Sequence, residues 1–173
     1  MCGLTEPILP DILEQGLRIV FCGSAAGAAS ARAGAYYAGP GNKFWTILHR
    51  AGLTPRLLGP ANFKELPDFG IGLTDLSKHA SGGDASLPAK ADDPAGLHDR
   101  ILRCQPVFLA FNGKRSAQVF LKNHAGVRTV EYGLQRWTIG KTTIFVLPST
   151  SGAANGFWDE GPWHDLAHHA KTV

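Results

Sequence analysis

The chain has 173 residues and a net charge of +3 at neutral pH, with 17 lysines and arginines against 14 aspartates and glutamates. This length predicts one domain spanning residues 1–173, and a composition of 44% hydrophobic and 18% charged residues excludes intrinsic disorder. Three cysteines, Cys2, Cys22 and Cys104, are too few and too far apart for a disulfide framework or a zinc or iron–sulfur motif. No apolar run approaches the roughly 18 residues of a membrane span, and the N-terminus resembles neither a secretion signal nor a lipoprotein leader ending at Cys2.

The first half of the chain alternates apolar runs with loops of small residues. In chain order it predicts a buried strand over 17–22, a small-residue loop over 23–30, an aromatic Gly/Pro-rich loop over 36–41, a helix over 42–51 and a glycine-laced segment over 68–75. A polar surface loop is predicted over 77–94. The 21 glycines and 11 prolines together exceed the usual share of about 12%, so shaped loops make up much of the chain.

The second half continues the alternation of helices and strands. It predicts helices over 95–104, 113–122 and 158–171, strands over 107–111, 127–132 and 143–147, and a Ser/Thr/Gly-rich loop over 148–155. This order predicts an α/β fold with three layers (α/β/α) around a central, mostly parallel four-stranded sheet. Ligands bind beyond the carboxyl ends of such strands, where the loops after Cys22 and Leu147 should meet.

Several residues near those ends are suited to binding or catalysis. Gly23 and Ser24 open a loop whose backbone N–H groups could approach an anion or a base edge, although the same pattern suits a tight strand-to-helix turn. Tyr37 could stack on a nucleobase. Asn42 either caps the helix that follows or binds a ligand. Asp75, after an apolar segment, should be partly buried and could position water, or it could form a turn.

The loop after the last strand has hydroxyl groups followed by two aromatic residues. Ser149 and Ser151 could bind phosphate. Phe157 and Trp158 could wedge into a base stack, or could follow a capped turn as core residues. His164 and His168 have a spacing that suits zinc, but no third ligand is evident, so we expect no metal.

Taken together, five sequence words resemble the uracil-DNA glycosylase superfamily. They are VFCG (20–23), YYAGPGNKFW (36–45), GLTDL (72–76), NGK (112–114) and LPSTSG (147–152), and they occur in the family's order. The match is nearest to the mismatch-specific uracil/thymine branch, with features of the hypoxanthine-DNA glycosylase branch. The resemblance implies an enzyme that flips a damaged base out of DNA and hydrolyses its N-glycosidic bond. It also implies the family's parallel sheet between helices.

The resemblance departs from the mismatch-specific branch at the residue that positions the attacking water. That branch has an Asn at the position of Ala25, and a methyl group cannot orient water. Two residues could take over the role. Asp75 is favoured, because a carboxylate can hold water and stabilise the cation that develops on the sugar. Asn42 is the second candidate, matching an Asn of the hypoxanthine branch.

The resemblance also implies how DNA is held. Tyr37 matches the stacking aromatic, and Gly23, Ser24 and Ala25 would line the base edge. Contacts to the DNA are expected from these residues: Lys114, Ser149, Ser151, Gly152, Asn155 and Phe157. We expect a monofunctional enzyme without a cofactor, acting as a monomer on DNA in the cytoplasm or nucleoid, with no membrane partner.

Two alternatives remain open at this point. Loss of the Asn at position 25 is compatible with a catalytically weak module that only binds lesions or uracil in DNA. A nucleotide-binding α/β protein unrelated to repair would bind free nucleotides without salt-dependent affinity for DNA. Uracil, hypoxanthine, xanthine and etheno-cytosine are all candidate bases, since Ala25 and Ala26 leave extra room beside the base.

Overall fold

A five-stranded sheet is the central layer of the computed structural model, which describes residues 5–173. The strands are β1 (Ile19–Gly23), β2 (Ile71–Asp75), β3 (Phe108–Asn112), β4 (Gly133–Ile139) and β5 (Thr142–Leu147). Their order is β2-β1-β3-β5-β4, and all neighbours are parallel except the antiparallel pair β4 and β5. The predicted α/β class with a mostly parallel sheet is confirmed, but the described chain has five strands and not four. The interpretations of Cys2 lie outside the described residues.

Helices cover both faces of the sheet. They are α1 (Ala28–Ala33), α2 (Phe44–Arg50), α3 (Pro94–Cys104), α4 (Lys114–Ala125) and α5 (Gly161–Lys171), with 3₁₀ segments at Pro60–Phe69, Asp84–Ser86, Ala89–Ala91 and Gly152–Phe157. Along β1, Ile19 and Phe21 join the core beneath α2 and α5, whereas Val20 and Cys22 join the core beneath α3 and α4. Central strands are therefore apolar on both sides, which explains their unbroken hydrophobic runs.

The strand predicted over 127–132 is wrong. This stretch is a connecting segment that buries Val130, and the strand begins only at Gly133. β4 lies at the edge of the sheet, where its side chains alternate between partly buried and exposed until Ile139. Val127, Thr129 and Val130 are β-branched and favour a strand locally, whereas β4 is an edge strand whose alternating side chains give no apolar run.

The glycine-laced segment ends in a fully buried strand, β2, which the sequence pattern did not identify. A β-carbon on Gly72 would lie 2.5 Å from the carbonyl oxygen of Ile12 and 2.6 Å from Cδ1 of Leu17. The backbone of Ile12 pairs with Leu73 through two hydrogen bonds of 2.9 and 3.0 Å. The N-terminal segment thus covers the outer edge of β2, and only glycine permits this close approach.

The segment over 77–94 was predicted to be a surface loop, but its first two residues are buried. Ser77 and Lys78 are buried, because the backbone of Ser77 continues the pairing beyond β2 by donating to the carbonyl oxygen of Ser24 at 2.8 Å. Near its end, Asp92 accepts two hydrogen bonds of 3.0 and 3.1 Å from Arg115 on α4. The segment is therefore fastened to the sheet at one end and to a helix at the other.

Helix boundaries shift by a few residues from those predicted. The helix predicted to start at 42 begins at Phe44, and the one predicted to start at 158 begins at Gly161. The predicted small-residue loop over 23–30 already contains the start of α1. Tyr36, placed by its sequence context in a loop, is a buried core residue whose hydroxyl donates to the carbonyl oxygen of Pro10 at 2.9 Å.

Candidate active site

The carboxyl ends of the parallel strands meet at one edge of the sheet and line a cavity of about 570 Å³. Gly23 ends β1, Asp75 ends β2 and Asn112 ends β3. The loops after Cys22 and Leu147 both reach this edge, as predicted. The cavity brings together these predicted site residues: Gly23, Ser24, Ala25, Tyr37, Asn42, Asp75, Ser149, Ser151 and Gly152. Three others, Lys114, Asn155 and Phe157, lie outside its lining.

Asp75 lies directly opposite Gly23 in the parallel pairing of β1 and β2. A β-carbon on Gly23 would be 2.8 Å from Oδ1 of Asp75 and 3.5 Å from the hydroxyl oxygen of Tyr37. The missing side chain therefore leaves the space that the carboxylate occupies. Asp75 is 4% exposed, so its predicted burial is confirmed, and the surface that remains faces the cavity.

Two opposing effects set the pKa of Asp75, since burial raises it and two nearby cations lower it. Loss of hydration raises the pKa of Asp75 to about 6 from its ordinary 3.8, and the charge of Asp11 adds to the rise, while Lys78 and Arg100 oppose it. No hydrogen bond to its carboxylate oxygens contributes among the described residues. At pH 7 the group is a buried, mostly ionised carboxylate that can accept a proton.

Tyr37 forms one wall of the cavity with a left-handed backbone, φ +53°. Its ring stacks on Phe44, with centroids 4.0 Å apart and an angle of 28° between the planes. The hydroxyl is buried and has no hydrogen-bond partner among the described residues. Burial and the charge of Asp75 raise the pKa of Tyr37, and the nearby Asn112 side chain opposes this without a hydrogen bond of normal geometry. The phenol is therefore neutral and unpaired beside the carboxylate.

Asn42 lines the cavity and also supports the start of α2. Its Oδ1 accepts a hydrogen bond of 3.0 Å from the backbone N–H of Phe44. Asn42 therefore caps the first N–H of the helix, as the capping alternative predicted, although it lies two residues before the helix begins. Its amide N–H groups and the second lone pair of Oδ1 remain to contact a ligand.

Asn112 also lines the cavity. It belongs to the NGK word, but the sequence alone predicted no role for it. It is buried, and its side chain makes two hydrogen bonds to Thr150, one from the backbone N–H at 3.0 Å and one to the hydroxyl at 2.9 Å. This pair fastens the end of β3 to the loop after β5. An Asn directly after an apolar strand is the signal that could have identified it.

The loop after β5 presents hydroxyl groups and backbone to the cavity. Oγ of Ser149 accepts from the N–H of Ser151 at 3.2 Å, and Oγ of Ser151 accepts from the N–H of Ala153 at 3.3 Å. Both hydroxyl hydrogens therefore remain to donate to an anion. A β-carbon on Gly152 would lie 3.3 Å from the carbonyl oxygen of Pro40, so a small residue allows this loop to pack against the aromatic loop.

Beyond the cavity, the same loop continues in an exposed aromatic residue. Phe157 is 76% exposed, at the end of the 3₁₀ segment that begins at Gly152. Trp158, in contrast, packs against the core, and the ammonium group of Lys43 lies 5.4 Å from its ring centroid. Lys43 also donates to Oδ1 of Asn155. Asn155 thus braces the loop from outside the cavity lining.

Lys114 points away from the cavity. Its ammonium group lies 3.7 Å from Oε2 of Glu131 and 4.4 Å from the ring centroid of Tyr132. These contacts hold the side chain against the segment that precedes β4. The predicted contact of Lys114 with DNA therefore stays a prediction, separate from the cavity.

Among residues 5–173, no group of three or more His, Cys, Asp or Glu side chains is arranged to hold a metal ion. No helix in that range is long and apolar enough to span a membrane. Cys22 and Cys104 are buried free thiols, and burial raises the pKa of both.

The chain is similar to known proteins over nearly its whole described length. A family model described as the Uracil DNA glycosylase superfamily matches residues 10–167. The chain is also similar to a solution NMR structure of a protein from Methanosarcina acetivorans that is described as a "putative Uracil DNA glycosylase". The two chains share 25% sequence identity and a TM-score of 0.62, and the match covers 94% of this chain and 96% of the other.

Proposed function

Because the chain belongs to the uracil DNA glycosylase superfamily, we propose that it is a DNA glycosylase that removes uracil and leaves an abasic site. The observation that carries this proposal is a buried carboxylate, Asp75, facing a cavity at the carboxyl edge of the sheet. A cavity of about 570 Å³ lies within the range of roughly 300–1,000 Å³ for sites that bind small molecules or flipped groups.

In the proposed reaction, water attacks C1′ of the flipped nucleotide and the N-glycosidic bond breaks. The electron pair of that bond leaves with the base, and the carboxylate of Asp75 takes the proton of the attacking water. The same negative charge stabilises the cation that develops on the sugar. With a pKa of about 6, Asp75 is mostly ionised at pH 7 and retains enough basicity to accept a proton.

Asp75 is preferred over Asn42 because a carboxylate can take the proton of the attacking water, whereas the amide of Asn42 cannot. Its Oδ1, the atom that would accept a hydrogen bond from water, accepts from the N–H of Phe44. Asn42 then contributes its amide N–H groups to an acceptor on the base or to the shape of the loop. The cavity lining contains no lysine among the described residues, which favours water over a Schiff-base nucleophile.

The base would stack on Tyr37 and lie beside Ser24 and Ala25. Aromatic stacking contributes roughly 1–3 kcal/mol per base and tolerates different bases. Ala25 and Ala26 carry only methyl groups, so the pocket should also accept other deaminated or adducted bases. A panel of oligonucleotides containing hypoxanthine, xanthine or etheno-cytosine measures this breadth.

The test is base release by Asp75→Asn on uracil-containing single- and double-stranded DNA, with enzyme in excess. We expect the single-turnover rate to fall by about 10²–10⁴-fold, with DNA binding retained. Asn42→Ala should cost less. Asp68→Asn, which changes an exposed carboxylate outside the cavity lining, is the control and should retain the wild-type rate.

One observation favours a second function, a lesion-binding module without catalysis. Ala25 stands at the position where the mismatch-specific branch has the Asn that positions the attacking water. Wild-type protein that binds uracil-containing DNA tightly, but yields no alkali-labile abasic sites, would support this alternative. A full rate in Asp75→Asn would instead contradict the role proposed for Asp75.

A further inference from the structure

Three charged side chains lie together near Asp75. None of the three lines the cavity, whereas Asp75 does. Asp11 precedes β1, Lys78 follows β2, and Arg100 lies on α3. Nζ of Lys78 is 2.8 Å from Oδ1 of Asp11, and Nε of Arg100 is 3.4 Å from Oδ2 of the same carboxylate. We call these three residues the buried charge cluster. Lys78 is only 8% exposed.

Two hydrogen bonds join the buried charge cluster to the strand end that carries Asp75. Nη2 of Arg100 donates to the main-chain oxygen of Asp75 at 2.8 Å. The hydroxyl of Thr74, the residue before Asp75, donates to Oδ1 of Asp11 at 2.7 Å. The cluster is therefore fixed relative to the carboxylate and is not a loose surface ion pair.

Lys78 is held by neutral acceptors as well as by Asp11. Its ammonium group donates to the carbonyl oxygen of Leu9 at 2.8 Å and to the hydroxyl of Tyr36 at 3.3 Å. Two of its N–H groups are thus hydrogen-bonded, and Asp11 adds an ion pair. These contacts give the ammonium group of Lys78 a defined position.

The charges of the cluster do not balance by themselves. Lys78 and Arg100 carry two positive charges against the single negative charge of Asp11. The side chains of Asp11 and Arg100 are 26% and 12% exposed, whereas Lys78 is buried, so an uncompensated charge is most costly at Lys78. Asp75 interacts electrostatically with both cations and lines the cavity, so its ionised carboxylate is the group that can supply the missing negative charge.

We infer that Lys78, together with Arg100, is a positioning residue that keeps the Asp75 carboxylate ionised inside the cavity, while Asp11 holds the two cations in place. This inference deepens the proposed function and rests on the role proposed there for Asp75. It assigns the ionisation of Asp75 to a lysine that lies outside the cavity lining.

The other titratable groups around Asp75 do not supply this charge. Burial raises the pKa of Tyr36, of Tyr37 and of the Cys22 thiol, and the charge of Asp75 adds to each rise. All three are therefore neutral at pH 7. Lys78 and Arg100 lower the pKa of Asp75, and Asp11 raises it. Replacing a cation should consequently raise the pKa of Asp75, and replacing Asp11 should lower it.

The experiment measures the single-turnover rate of uracil release between pH 5 and 9 for wild type, Lys78→Met and Asp11→Asn. The wild-type rate should rise to a plateau with a midpoint near pH 6. In Lys78→Met the midpoint should move up by about one pH unit, and activity should return at higher pH. Asp11→Asn keeps the size of the side chain and one oxygen that can still accept from Lys78 and Thr74, so the cations should stay in place and the midpoint should move down.

Lys90→Met is the matched control, because Lys90 is an exposed lysine in the same segment as Lys78. Its profile should coincide with that of wild type. A lowered plateau with an unchanged midpoint in Lys78→Met or Asp11→Asn would overturn the inference and leave Lys78 a purely structural residue. If Lys78→Met does not fold, the direction of the shift in Asp11→Asn decides.

Failure of the proposed function has a different signature. A wild-type rate that does not change between pH 5 and 8 would contradict an ionisable Asp75 in the reaction. A wild-type midpoint near pH 6 that persists unchanged in both variants would contradict only the role of the buried charge cluster.

Discussion

Gly23 and Asp75 are cross-strand partners, and the carboxylate of Asp75 fills the space that a side chain at Gly23 would need. An oxygen only 2.8 Å from the position of a β-carbon leaves no room for that carbon. The backbone at Gly23 is an ordinary strand end, so the need for glycine is steric and not conformational. The pair links the first predicted loop to the candidate catalytic carboxylate at the end of β2.

Gly23→Ala should therefore displace the Asp75 carboxylate. Because a misplacement of about 1 Å can cost about 10²-fold in rate, we expect base release to fall by at least about 10-fold. Gly59→Ala is the control, since no atom lies within 4 Å of the position of its β-carbon. Single-turnover rates on uracil-containing DNA measure both. An unchanged rate in Gly23→Ala would show that the carboxylate can move without consequence.

The raised pKa of Asp75 predicts a pH-dependent stability. Below pH 3.8 the group is protonated in the folded and the unfolded chain, so it costs nothing. As the pH rises from 3.8 through about 6, the unfolded chain loses the proton first, and the folded protein loses about 3 kcal/mol of stability.

Asp75→Asn should remove that loss, because Asn does not titrate. The free energy of unfolding, measured in urea at pH 4 and pH 7, should fall less between these values in the variant than in wild type. Any cost of the Asn side chain itself is the same at both pH values and cancels. Equal pH dependence in the two proteins would mean that Asp75 keeps its ordinary pKa.

Asn112→Ala should destabilise the protein. Its side chain makes two hydrogen bonds to Thr150, and truncation leaves a buried N–H and a hydroxyl unpaired. We expect a loss of about 1–3 kcal/mol in the free energy of unfolding. Asn123→Ala, an exposed change on α4, should have little effect. A loss no larger than that of Asn123→Ala would rule out this link between β3 and the loop after β5.

Phe157→Ala tests whether the exposed aromatic residue enters the base stack of DNA. Removing a side chain that is 76% exposed should change the free energy of unfolding by no more than about 0.5 kcal/mol. The rate on double-stranded DNA should fall more than the rate on single-stranded DNA, because only the duplex must be opened. Leu57→Ala, another exposed apolar residue, is the control. Equal effects on both substrates would contradict a wedge at Phe157.

Strands were predicted correctly from the sequence where burial on both faces of the sheet makes the whole strand apolar. β1, β3 and β5 are central strands buried on both faces, and each produces an apolar run that ends close to the observed strand end. β4 was missed because it is an edge strand with alternating side chains. β2 was missed because Gly72 and Thr74 interrupt its apolar pattern, although both are buried by neighbours distant in the chain.

The amino-acid sequence by itself determined the fold class, the sheet edge that carries the site and the family, because apolar runs, glycine-bearing loops and ordered motifs are local properties. Only the tertiary structure decided that Lys78 is buried beside Asp11, that Oδ1 of Asn42 is already engaged, and that Asn112 anchors the last loop. Burial and charge pairing arise between residues far apart in the chain. The protonation of Asp75 depends on those neighbours, so no local pattern could have predicted it.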